Sequence, residues 1–321
     1  PVTLTLSGVD VPLTDGKPQL HQSAAVARLS TSGVRVGVGG EQETIALRTA
    51  EAGVTLKPGE PARIGFLADD ELTGMNAAAD MKLVGLFGAD GSLRVDAVRP
   101  VGTARVKDLP VSLARLAGLG EMLHILGEAA GDTVSITLTT AEAPNDALTA
   151  AVTMQSDAMS VNADLLARAD AIELRTGHAA LTASPALIEK SIAQFAPDLT
   201  PRPTLGQSVR LVMDAAPATI PADGWFKPNL ARAGEVKLSI KAENDIIVHG
   251  ATMLEEQPVD VGVRGFAAEA TYSLSRSEAT SARVKADIFE PAAPDRRVAG
   301  LTGQLQMAGG SIAQGDVKIE G

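Results

Sequence analysis

The stretch Val134-Ser-Ile-Thr-Leu138 decides the fold class, because its apolar residues alternate strictly with small polar ones. Successive side chains of a β-strand point to opposite faces, so this pattern predicts a strand with one apolar face and one polar face. The same alternation recurs from Val2 to Leu6, from Val236 to Ile240 and from Val259 to Val263. Strands with one solvated face are typical of antiparallel sheets.

Turn signals separate these runs at short intervals, as at Asp15-Gly16, Pro144-Asn-Asp146 and Asp223-Gly224. Asp, Asn and Gly favour the backbone conformations of tight turns, so the strands are expected to follow one another in a meander without helical crossovers. The sequence therefore predicts a mainly β protein with a long, curved antiparallel β-sheet and two or so short amphipathic helices. The sheet is expected to be either an open groove or sandwich-like.

Two segments carry a helical pattern instead. From about 111 to 130, leucines recur at helical spacings between a proline and a glycine. From 185 to 196, an apolar face follows Ser184, a candidate N-cap, and Pro185 in the first helical position. We expect such helices to cover an exposed end of the sheet.

Proline-rich stretches suggest three segments. The strongest break runs from 197 to 206, and a weaker one from 291 to 297. The predicted division is an N-terminal β segment over 1–97, a β segment with both helices over 98–200, and a C-terminal β segment over 201–321. One continuous sheet through all three is also compatible with the pattern.

Composition limits the kinds of protein that this chain can be. Hydrophobic residues make up 45% of its 321 residues but aromatic residues only 2%, so any core is built from aliphatic side chains and alanine. The net charge of -11, without a dense Lys/Arg cluster, argues against nucleic acid as a partner. Cysteine is absent, which excludes disulfides. The chain opens at Pro1 inside a strand-like pattern, so we interpret it as a segment whose membrane tether lies outside it.

No motif predicts an enzyme. The four histidines stand apart in sequence, and Asp69-Asp-Glu71 lacks the ligand spacing of a calcium loop. Gly37-Val-Gly39-Gly40 lacks the remainder of a phosphate-binding fingerprint, and no Gly-x-Ser-x-Gly elbow occurs. We therefore expect no catalytic residue, no metal and no cofactor.

Several stretches resemble the AsmA-like family of bacterial envelope proteins, which includes TamB-like and bridge-type lipid-transfer relatives. The segment 104–119 is similar to that family's strand and small helix, and 131–138 to its return strand. The segment 150–163 is similar to its paired strands, and 181–190 to a strand that leads into a Pro-started helix. The resemblance implies a long antiparallel sheet with an apolar groove that carries lipids through the periplasm or cell envelope. It also implies an inner-membrane anchor, which here would lie outside this segment.

These observations favour a non-enzymatic segment that binds or guides lipids along an apolar β-groove, in outer-membrane biogenesis or lipid transport. Its expected partners are lipids or other apolar ligands, and envelope proteins. The alternative is a structural or adhesion-type β-sandwich module with protein partners, in which the same apolar faces fill a core. The groove candidates come from the alternating strands of the middle segment: Val134, Ile136, Leu138, Val152, Met154, Met159, Val161, Ile172 and Leu174.

Overall fold

The fold is almost entirely β: strands account for 72% of the described residues, and helices for only a small part of them. The computed structural model describes residues 2–38, 43–70, 74–88, 90–111, 131–195, 202–225, 227–254, 257–308 and 311–321. The mainly β fold class predicted from the alternation is confirmed. The helix predicted over about 111–130 lies outside the described residues, except for Val111.

Nineteen strands form one antiparallel sheet, and two short strands form a separate hairpin. The first strands are β1 (Val2–Asp10), β2 (Leu13–Thr14), β3 (Lys17–Pro18), β4 (Ala24–Val38), β5 (Glu43–Leu56), β6 (Ala62–Asp70), β7 (Asn76–Val84) and β8 (Arg99–Pro110). The middle strands are β9 (Thr133–Ala143), β10 (Ala147–Gln155), β11 (Met159–Ala167), β12 (Ala171–Ala183), β13 (Thr204–Leu205), β14 (Val209–Ala215) and β15 (Ala218–Pro221). The last strands are β16 (Glu235–Ala242), β17 (Ile246–Leu254), β18 (Gln257–Ser273), β19 (Glu278–Glu290), β20 (Ala293–Ala308) and β21 (Ser311–Glu320).

The pairing order follows the chain closely. β1 pairs with β4, and from β4 to β12 each strand pairs with the next. β14 and β15 lie end to end along the other side of β12. β14 pairs with β16, and β16 and β17 lie end to end along β18, which leads through β19 and β20 to β21. The sheet is continuous from β1 to β21 and is not closed.

This continuity bears on the predicted segments and on the sandwich alternative. The sheet crosses the proline-rich stretch at 197–206 because β12 pairs directly with β14 and β15. The stretch at 291–297 falls at the turn between β19 and β20. Of the two forms expected from the sequence, the structure has the open sheet.

Predicted turn residues adopt the backbone conformations that tight turns require. Asp15 and Gly16 have φ values of 52° and 75°, and Asn145 and Asp146 have φ values of 59° and 54°. Two consecutive positive φ angles define a type I′ turn, whose twist matches that of the flanking strands. These turns connect β2 to β3 and β9 to β10.

One helix, α1 (Pro185–Phe195), lies in the described part of the chain and matches the prediction over 185–196. The Leu187 N–H donates to Ser184 Oγ at 3.2 Å, so Ser184 caps the helix as predicted. Leu187 packs against Ala183, at the end of β12. Because β12 is an interior strand, α1 covers the end of a central strand and leaves the two edge strands uncovered by it.

The molecule is one layer thick over much of its extent. Its accessible surface is 19198 Å², whereas a compact monomer of 32.9 kDa exposes about 12,500 Å². The buried clusters are small: one contains Leu148, Ala167, Ile172 and Ala222, and the other contains Ala183 and Leu187. A single layer leaves both faces of the sheet available to solvent or to a ligand.

Candidate functional site

One face of the sheet is apolar from edge to edge. Directly paired residues of antiparallel strands share a face, so the strand register assigns each side chain to one side of the sheet. Leu4 in β1 has a direct partner on the neighbouring strand, that residue has a partner on the strand after it, and so on across the sheet. We call this row of directly paired residues the apolar rung; it takes one residue from each of sixteen neighbouring strands. Its members are Leu4, Leu29, Ala52, Phe66, Ala79, Ala104, Leu138, Val152, Ala163, Gly177, Ala215, Leu238, Ala270, Ala282, Leu305 and Gly315.

The opposite face carries almost the reverse chemistry. The neighbouring row of partners, here the polar rung, contains two apolar residues, Leu67 and Ala78. The complete row is Thr3, Ser30, Glu51, Leu67, Ala78, Arg105, Thr137, Thr153, Asn162, His178, Asp214, Ser239, Glu269, Arg283, Gln304 and Asp316. We call the two sides of the sheet the apolar face and the polar face.

The apolar face is long as well as continuous. Neighbouring strands lie about 4.8 Å apart, so the fifteen steps of the apolar rung cover roughly 72 Å. Every residue on that path is aliphatic, aromatic or glycine, so an apolar molecule can move along it without meeting a polar side chain. A contiguous apolar surface of this extent typically marks a ligand or partner site.

All nine groove candidates predicted from the sequence lie on the apolar face. Leu138 pairs with Val152, and Met154 lies between Ile136 and Val161. The same register places Val134, Met159, Ile172 and Leu174 on that side. Val134 and Ile172 are buried, and the other seven are half-buried. The structure thus brings the candidates together on one surface of four adjacent strands.

Two small clusters cover opposite ends of this central region. At one end, Trp225 packs on the cluster that contains Leu148 and Ile172. At the other end, α1 packs Leu187 on Ala183. Because Ile172 and Ala183 lie at the two ends of β12, the clusters frame a stretch of apolar face between them.

We call this stretch the central window, and neither buried cluster includes its residues. Its members are Val152 and Met154 on β10, Val161 and Ala163 on β11, and Gly177 and Ala179 on β12. Toward the N-terminal edge the apolar face becomes exposed, as at Leu4, Leu29 and Phe66. The same is true of Val317 and Ile319 at the C-terminal edge.

The polar face is held by cross-strand hydrogen bonds between exposed groups. His178 Nδ1 lies 2.8 Å from Asp214 Oδ1, and Thr176 donates to Asp164 at 2.8 Å. A cavity of about 870 Å³ opens on this face, among polar and charged side chains that include Lys237, Glu269 and Arg283. Mixed charges and amide groups make it unsuited to an apolar ligand, so it is separate from the candidate site.

A second His–Asp pair lies at a bulge of β17. Asp260 accepts from the Gly250 N–H at 3.1 Å, and its other oxygen lies 2.7 Å from His249 Nδ1. These bonds, with that of His249 the stronger influence, lower the pKa of Asp260. Gly250 has a φ of 64°, which a side chain would disfavour, so the carboxylate fixes a turn that only glycine adopts readily.

The acidic and histidine side chains of the described residues were also compared with the requirements of a metal site. Among them, no three His, Asp or Glu side chains lie close enough to share a metal ion. Asp69, from the acidic run, instead accepts hydrogen bonds from Thr49 and Asn76. No described helix is both long enough and apolar enough to cross a bilayer.

Three related loops along one margin of the sheet were not predicted. Each contains an Asp-Gly pair, a short antiparallel bridge and a 3-10 turn, and each joins consecutive antiparallel neighbours of the sheet. The 3-10 turns are Leu20–Gln22, Val95–Ala97 and Leu230–Arg232. The bridges are Leu13 with Pro18, Phe87 with Leu93, and Ala222 with Pro228.

A sequence signal for two of these loops is present. Lys17-Pro-Gln-Leu20 matches Lys227-Pro-Asn-Leu230 in pattern; the first follows an Asp-Gly pair directly and the second follows one after two residues. The third of the loops carries Trp225, whose ring packs at the end of the apolar face. An internal comparison of turn segments, more than of strands, would have revealed this element of the site.

Comparison with family models, with curated proteins and with solved structures gave no match for this chain.

Proposed function

We propose that this chain is a non-enzymatic segment that binds lipids and guides them along the apolar face. The unbroken apolar rung on an open sheet is the observation that carries this proposal. The AsmA-like resemblance supports the same function. With that resemblance we also propose a location in the periplasm or cell envelope of a bacterium and an inner-membrane anchor outside these residues.

Simple energetics favour an apolar ligand over water on this surface. Each methylene group removed from water contributes about 0.8 kcal/mol, so contact along even part of an acyl chain gives appreciable binding. The side chains of the central window are half-buried within the sheet, so less freedom is lost when a ligand orders them. Apolar contacts are not directional, so an apolar ligand can exchange one position of the rung for the next.

The adhesion-type alternative relies on a filled sandwich core. In the described residues, no second sheet lies over the apolar face. The open sheet therefore favours a ligand over a structural core as the partner of these side chains.

A matched pair of substitutions tests the proposal. Val152→Lys places a charge on the apolar face, whereas Thr153→Lys places the same charge one residue away on the polar face. After expression in a bacterial host, lipids that co-purify with each variant are extracted and measured by mass spectrometry. We expect Val152→Lys to lose most bound lipid and Thr153→Lys to retain it.

Circular dichroism and the urea midpoint show whether both variants fold. Equal lipid loss in two folded variants would contradict the proposal, because the apolar face would then have no special role. Absence of lipid from the unmodified protein, even after incubation with phospholipid vesicles, would also contradict it.

A further inference from the structure

We propose that acyl chains lie parallel to the strands across the central window, in the space between Trp225 at one end and α1 at the other. This inference rests on the proposed function and adds an orientation and a length limit to it. It is supported by the two packed clusters that close the ends of the window, which we call stops, and by the distance between them.

The first stop is the cluster around Trp225. Its ring packs, with Val101 and Leu165, on a fully buried floor that includes Leu148 and Ile172. The loop that carries the ring is held by main-chain bonds from Ala222 N–H to Asp170 O at 2.8 Å and from Asp223 N–H to Lys227 O at 3.0 Å. A further bond runs from Asn229 Nδ2 to Asp223 Oδ2 at 2.7 Å. A loop fixed in this way presents a firm apolar wall.

The second stop is α1. Leu187 is buried on Ala183, and Leu181 and Ile188 pack around the pair. The cap at Ser184 fixes where the helix leaves β12, so the helix crosses the end of the apolar face at a defined place.

The distance between the stops leaves room for one acyl chain. From Leu174 to Leu181, seven steps of about 3.4 Å give at most roughly 24 Å, and a bulge beside Leu174 shortens this span. The hydrocarbon core of a bilayer is about 30 Å thick, so a chain in one leaflet is about 15 Å long. One chain fits between the stops, whereas two end to end do not.

The middle of the window is also the lowest part of the apolar rung. Ala163, Gly177 and Ala215 follow one another on three adjacent strands, where neighbouring positions carry Val152 and Leu238. A Cβ atom at Gly177 would lie 3.0 Å from Ala215 Cβ and 3.6 Å from the Leu174 side chain. The three small residues keep this part of the rung low between Val152 and Leu238, although Ala215 and Leu174 lie close over Gly177.

Trp225 makes the orientation measurable, because it is the only tryptophan. Bromine quenches indole emission on contact, so saturated fatty acids of increasing length are brominated either at the terminal carbon or beside the carboxylate. We expect strong loss of Trp225 emission from one set and little from the other, since only one end of a chain meets the ring. We also expect affinity to rise with length and then level off once the chain spans the window.

Variants test the length limit separately. Trp225→Ala removes the first stop and is expected to move the plateau to longer chains, read by native mass spectrometry. Leu187→Ala does the same at the second stop, in case loss of Trp225 prevents folding. Leu67→Ala, which changes an exposed leucine of the polar face, is expected to leave the plateau unchanged.

The results separate this inference from the function beneath it. Fatty acids that bind with equal quenching from both positions and no plateau would overturn the orientation but leave lipid binding intact. Failure of every fatty acid to bind would overturn the proposed function and the inference together.

Discussion

The two faces of this sheet share a backbone but differ in what holds them and in what they offer. The apolar rung contains no polar residue across sixteen strands, whereas the polar rung contains two apolar ones. A slip of one residue in any pairing would exchange the two faces beyond that point. Fifteen successive pairings without such an exchange indicate that the separation of faces is the property that the sequence maintains.

Within the apolar face, cover determines burial more than residue type does. Leu148, under the Trp225 cluster, is 0% exposed, whereas Leu4 on the edge strand is 65% exposed. Both are leucines on the same face. The folded state therefore gains stability mainly at the covered ends and leaves apolar surface free elsewhere.

The largest expected effect on the free energy of unfolding comes from a substitution in the cluster that covers one end of the apolar face. Leu148→Ala removes a fully buried side chain and is expected to cost about 2–5 kcal/mol in the free energy of unfolding. Leu4→Ala on the exposed edge is expected to change it by less than about 0.5 kcal/mol. Urea unfolding followed by circular dichroism compares the two, and similar losses would show that an unseen cover protects the edge.

A smaller effect is expected from Thr140, a polar residue on the apolar face. Its hydroxyl donates to Pro100 O at 2.7 Å and accepts from the Gly102 N–H at 3.1 Å, and the residue is buried. Thr140→Val keeps the shape but leaves those groups without that partner, at a cost of about 1–3 kcal/mol. Thr139→Val, one residue away on the polar face, is the control, and an equal cost for both would refute the role of these bonds.

The smallest expected effect lies on the polar face, at Asp260. Its pKa is lowered below the ordinary value of 3.8, so its contribution to stability is present above that pH and is lost as pH falls through the lowered pKa. Asp260→Asn is expected to lower the urea midpoint at neutral pH but not in strong acid, where the parent carboxyl is also neutral. A difference that persists unchanged into acid would assign the effect to packing.

Alternation along the chain was enough to predict the fold class, strands such as β1, β9 and β16, and the shared face of the groove candidates. Val134, Val152 and Val161 belong to separate strands. Side chains alternate between the two faces along each strand, and the pairing of the strands brings these three to the same face. The Asn145-Asp146 turn sets the register between β9 and β10 through its two positive φ angles. Alternation within a strand and the residue types of a turn are both local features, so both can be read from the sequence alone.

The cover over the apolar face was not predictable in the same way. An apolar face looks identical in sequence whether a second sheet, a helix or a ligand lies over it, because alternation records only that one side avoids water. Trp225 reaches Leu148 through a loop more than seventy residues away in sequence. No spacing rule connects such positions, so the open sheet and its two stops emerge only from the three-dimensional structure.

The odd number of pairings between β1 and β21 has a consequence for how such a protein can change in length. Fifteen antiparallel steps leave the two edge strands running in opposite directions, with their apolar sides on the same face. Adding or removing one hairpin changes the span by about 9.6 Å and preserves both the direction and the sidedness of every other strand. The length of the sheet across its strands can therefore change one hairpin at a time, in evolution or by protein engineering. The apolar surface that is lengthened keeps its chemistry and its side of the sheet.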